Sequence, residues 1–81
     1  MKFKIKYVKT IPKGYIGMNY YAAKELKIPF PKNPSLIWIK KGMSKSMAET
    51  TIQHEKIEAV LMKKGMKYHK AHILSNAMEE F

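Results

Sequence analysis

All three histidines and five of the six glutamates of this 81-residue chain lie after residue 48. The densest grouping is His54-Glu55-Lys56-Ile57-Glu58. Residues four apart on an α-helix stand one above the other. His54 and Glu58 therefore share a face, with Thr50, Ile57 and Leu61 close to it, and Glu55 is turned about 100° away. Further on, His72, Asn76 and Glu79 share a second helical face, with Tyr68 and His69 nearby. Imidazole and carboxylate at this spacing offer either a simple hydrogen-bonded pair along one helix or a divalent metal site.

The two faces can be compared by height if they belong to an antiparallel hairpin. Gly65 supplies a helix stop, and a three-residue connection makes the flanking helices neighbours. At 1.5 Å per residue, His54 lies roughly 15 Å from the turn and Glu58 roughly 9 Å. Equal distances beyond Lys67 reach residue 77, between Asn76 and Glu79, and residue 73, beside His72. His69 is too near the turn. The levels select His54, Glu58, His72 and Glu79 as a ligand set. Two imidazoles with carboxylates suit a borderline ion such as Zn2+. Three protein ligands and a water would leave an open position, and Glu55, next to a ligand, would be the general base for that water. The plainer readings are an unmetallated His54/Glu58 pair, His69 and His72 as ordinary surface or interface histidines, and Glu79 as a solvated acid near a fraying terminus.

The elements that must hold these residues are legible as patterns. Phe3, Ile5 and Tyr7 alternate with Lys2, Lys4 and Lys6, a strand with one core face and one lysine-coated face. Pro12-Lys13-Gly14 breaks it. Asn19 caps a short helix over Tyr20–Lys27, and Pro29, Pro31 and Pro34 enforce an extended loop. Ser35–Lys41 carries the apolar run Leu36-Ile37-Trp38-Ile39, a strand covered on both faces. Ser46-Met47-Ala48-Glu49 is a capping box that opens a helix running to about Lys64. A last helix runs from Tyr68 to near Phe81. The expected fold is a small α+β domain spanning residues 1–81. In it an antiparallel or mixed sheet packs on a C-terminal two-helix hairpin, with a basic half over 1–45 and the hairpin over 46–81.

Composition narrows the rest. There is no cysteine, which excludes disulfides and thiolate metal sites. A thin core then points to a metal, a partner subunit or unusually good packing as the source of stability. No apolar run approaches the ~18–20 residues of a membrane span, and the lysine-interrupted start is no signal peptide, so a cytoplasmic protein is expected. All 16 basic residues are lysine, an enrichment that also fits a thermophile. Residues 1–48 hold 11 Lys and 1 Glu, a charge of +10, whereas residues 49–81 hold 5 of each. Lys2, Lys4, Lys6, Lys40 and Lys41 would form a basic sheet surface for nucleic-acid phosphates. This is an alternative in which the hairpin is purely structural and the partner is a nucleic acid or another protein. Against it stands the lack of arginine, the usual residue for bidentate phosphate and base contacts.

The stretch Thr50-Thr51-Ile52-Gln53-His54-Glu55-Lys56-Ile57-Glu58 resembles the active-site helix of zincin metallopeptidases, His-Glu-x-x-His, with glutamate in place of the second histidine. At this length the chain is most similar to the minimal zincins called minigluzincins, over roughly residues 35–81. The resemblance implies His54 as zinc ligand, Glu55 as base, and a further ligand from the following helix, where His72 and Glu79 stand. It also implies peptide hydrolysis, with the Ser35–Lys41 strand as the edge that aligns substrate. Glu58 departs from the pattern, and a carboxylate there lowers the Lewis acidity of the ion.

Overall fold

The computed structural model describes residues 2–79, with side chains through Ala77. Its order is β1 (Lys4–Val8), a 3-10 turn at Pro12–Gly14, β2 (Gly17–Asn19), α1 (Tyr20–Leu26), β3 (Leu36–Lys40), α2 (Lys45–Lys63) and α3 (Tyr68–Glu79). The fold is α+β: a mixed three-stranded sheet with a C-terminal helix pair.

The apolar run in Leu36–Ile39 makes β3 the central strand. It pairs in parallel with β1, Ile5 opposite Ile37, and antiparallel with β2, Met18 opposite Trp38. Ile37 and Ile39 are fully buried, and with Ala48, Ile5, Phe3 and Ile52 they join one sheet face to α2. On the other side Trp38 packs against Phe30, with ring centroids 4.6 Å apart and the rings tilted by 48°. A second core of Ile11, Met18, Ala22, Ala23 and Ile28 ties β2 and α1 to Met62 and Tyr68 of the hairpin.

Three expectations are corrected. Tyr7 is 50% exposed: the alternation of β1 runs out at an edge position, and Val8 packs inward instead. The cap of α2 is Ser44, whose Oγ accepts from Met47 N at 3.1 Å, so the helix begins ahead of the Ser46-Glu49 box. Finally, the Ser35–Lys41 strand cannot serve as a free edge, because both of its sides are already paired. The edge beside the hairpin is β2.

Asn19 caps α1 as expected, accepting from Ala22 N. The hairpin forms as its short connection requires, with Gly65 at φ +106° in the turn. Glycine adopts this left-handed conformation at little cost.

Candidate metal centre

The centre of α2 is unusual for a helix interior, because three consecutive turns bury Thr51, His54, Glu55 and Glu58. These side chains face a space bounded by β2 and α3. Two small residues let α3 approach α2 closely, Ala59 and Ala71, both fully buried. Ser75, also buried, hides its hydroxyl by donating to Ala71 O at 2.7 Å. Across this interface His72 meets the His54/Glu58 face.

The convergence is tight. Glu58 Oε2 lies 2.9 Å from His54 Nε2 and 3.0 Å from His72 Nδ1, and the two imidazole nitrogens are 3.1 Å apart. The rings meet edge to face. Glu58 is 1% exposed, so its charge must be compensated nearby. Its other oxygen, Oε1, accepts from Asn19 Nδ2 at 3.0 Å, and the same amide donates to Glu55 Oε1 at 2.9 Å. Glu55 Oε2 stands 4.0 Å from His54 Nε2.

The triangle of His54, His72 and Glu58 is a poor set of hydrogen bonds. An imidazole nitrogen carries either a proton or a lone pair, never both. With Glu58 as a carboxylate, two N–H groups leave a donor facing a donor across 3.1 Å. One N–H leaves a lone pair of the other ring facing the carboxylate. While Glu58 is ionised, no placement of protons satisfies all three contacts. Three lone pairs directed at one cation would. His54, Glu58 and His72 thus form a group that could hold a metal ion.

A cavity of about 260 Å³ opens onto this group, lined by Tyr15, Ile16, Gly17, Met47, Thr50 and Asn76 along with the acidic and imidazole side chains. Ile16 and Met47 give it an apolar, exposed rim. Tyr68 also lines it. Its ring stacks on His72 at 5.3 Å. Burial first, and then the charge of Glu58, hold the Tyr68 phenol well above the ordinary tyrosine range, so it stays protonated in neutral solution.

The structure brings together three of the four ligand positions expected from the sequence, and places Glu55 beside them. The side chain of Glu79 lies outside the described residues. His69 is exposed and apart, as the level count expects. Lys4, Lys6 and Lys40 share one sheet face by strand alternation and register. Lys2 precedes the strand, and Lys41 falls after β3 with the opposite parity. What the pattern did not reveal is the part played by β2. Asn19 carries a visible cap signal, but its amide works 36 and 39 residues away. Gly17 carries no signal at all.

Comparison with protein-family models, with curated proteins and with solved structures gives no match. No helix among the described residues is long and apolar enough to cross a membrane.

Proposed function

We propose that the protein is a zincin-like metalloprotein. In this reading His54 Nε2, Glu58 Oε2 and His72 Nδ1 hold Zn2+, and Glu55 is the general base for metal-assisted amide hydrolysis. The observation that carries this reading is the triangle of three acceptor-capable atoms at 2.9–3.1 Å, which protons cannot satisfy while Glu58 is ionised and a cation can. Zinc bonds of ~2.0–2.2 Å in a tetrahedron need donors about 3.3–3.5 Å apart, so the triangle has only to open by a few tenths of an ångström. Two imidazoles and a carboxylate without thiolate fit zinc among borderline ions.

Three protein ligands leave a fourth position for water, the arrangement of catalytic rather than structural zinc. The ion would supply Lewis acidity and a more acidic bound water. Glu55, whose Oε2 is 4.0 Å from His54 Nε2, would take a proton from that water. The edge strand β2 borders the same cavity, which supports an extended peptide as substrate, added to the sheet through main-chain hydrogen bonds.

The test is the metal content of protein purified without a histidine tag. One zinc per chain, absent from His54→Ala, and a melting temperature lowered by chelator are expected. Protein that stays metal-free in added zinc, with a stability indifferent to zinc and chelator, overturns the reading.

A second reading rests on the face opposite α2, where Lys4, Lys6 and Lys40 project together. It takes the chain as a nucleic-acid-binding module whose affinity comes from phosphate contacts. Such binding falls steeply with salt, and no retention of DNA or RNA at low salt would count decisively against it.

A further inference from the structure

We infer that Asn19 is a positioning residue of the metal centre. Its amide restricts Glu58 to one-oxygen ligation and holds Glu55 beside the open position. This rests on the metal reading above and concerns how the centre keeps a vacant coordination position.

Asn19 sits at the end of β2, fully buried, and uses every part of its amide. Oδ1 accepts from Ala22 N at 2.9 Å as the cap of α1. That bond fixes the orientation of the group, because only the oxygen can accept. The amide nitrogen must then face the carboxylates, and it donates one N–H to Glu55 Oε1 at 2.9 Å and one to Glu58 Oε1 at 3.0 Å. Both Oε1 atoms are therefore engaged on the β2 side, and both Oε2 atoms turn toward the imidazoles.

The consequence is chemical. An unrestrained glutamate can bind a cation through both oxygens. Glu58 doing so would raise the coordination number and crowd the position that a reacting water needs. With Oε1 held by Asn19, only Oε2 is offered. The same amide keeps two buried carboxylates side by side, where their mutual repulsion would otherwise drive one out. Ser, Asp and Asn are nearly interchangeable as helix caps, but only Asn among them supplies two N–H groups as well. The requirement for asparagine thus comes from Glu55 and Glu58 and not from α1.

Two cap-preserving variants of the whole chain separate these roles, with Co2+ as the probe: Asn19→Ser and Asn19→Thr. Four-coordinate Co2+ absorbs strongly in the visible, and higher coordination absorbs weakly. Wild type should show the strong bands. Both variants should show weakened, shifted bands as Glu58 closes onto the ion through two oxygens. The Ser variant should also bind Zn2+ about 10–100-fold more weakly, as losses of groups that orient metal ligands do, and its metal-free melting temperature should fall, because two buried carboxylates lose their shared donor. If the Ser variant does not fold, the Thr variant, also a helix cap and closer to asparagine in volume, carries the spectral test alone. Wild-type spectra and affinity in the folded variants would reduce Asn19 to a helix cap and overturn the inference while leaving the metal site intact. A wild-type chain that takes up no Co2+ removes the metal reading, and this inference with it.

Discussion

Both carboxylate oxygens of Glu25 accept from the backbone N–H of Tyr68, at 3.2 and 3.0 Å. The first free N–H of α3 is thereby capped from α1, 43 residues earlier in the chain, and the negative charge sits at the positive end of the helix dipole. Since α3 carries His72, this contact fixes one corner of the candidate metal centre from outside it. Glu25→Ala should cost about 1 kcal/mol, the usual worth of a cap. It should also speed hydrogen exchange at the first amides of α3. Unchanged exchange at Tyr68 would show that the hairpin turn alone fixes the helix.

Tyr68 makes the stability sensitive to alkali. Its phenol is held above the ordinary range by burial first, then by Glu58, with smaller effects from Tyr15 and Glu55. A folded pKa above the unfolded value favours the neutral phenol in the folded state. That stabilisation is complete below about pH 10 and is lost as the pH rises through the folded pKa. With chelator present, wild type should lose stability on going above about pH 10, and Tyr68→Phe should show a shallower decline. Urea midpoints across that range measure it. Equal slopes in the two proteins would remove Tyr68 as the cause.

Gly17 allows β2 to lie flush against α2. A Cβ there would stand 2.7 Å from Thr51 Cγ2 and 3.0 Å from Glu55 Cγ, closer than side chains tolerate. Gly17→Ala is expected to destabilise by roughly 1–3 kcal/mol, as overpacking does. Adding Thr51→Ser removes the nearest obstructing carbon and should recover part of the loss. Thermal melts of the single and double variants decide this, and additive losses would contradict a steric origin.

Glu55→Gln separates the proposed base from the ligands. The variant should bind zinc with the stoichiometry of wild type, because Glu55 is not in the ligand triangle. Any hydrolysis of a peptide mixture by the wild type should fall by ~10²–10⁴-fold in the variant, the usual contribution of a general base. A variant that loses the metal instead would make Glu55 a ligand.

Much of this arrangement was readable from local pattern. The Leu36–Ile39 run marked a strand buried on both faces, and Asn19 and Gly65 marked helix ends, because these signals lie within a few residues of what they determine. Counting levels along the hairpin placed His72 beside Glu58, since a short connection leaves two antiparallel helices little freedom of register. Three failures share a physical cause. The strand at Gly17–Asn19 has three residues, too few for any alternation, and its existence depends on pairing with a strand nearly twenty residues away. Ser44 and Ser46 are both good caps, and packing of Ala48 against the sheet chose between them. Tyr7 fitted the apolar phase of its strand, but no element covers it at the sheet edge.

The separation of 18 positions between His54 and His72 gives the hairpin one further property. A shared ion would close this segment into a ring, as a disulfide would in a chain that had cysteines. By the chain-entropy account, closing a ring of about 15 residues removes roughly 3 kcal/mol worth of freedom from the unfolded chain. A cross-link of that kind differs from a covalent one in being set by free metal concentration. The protein's resistance to unfolding would then track the supply of zinc around it.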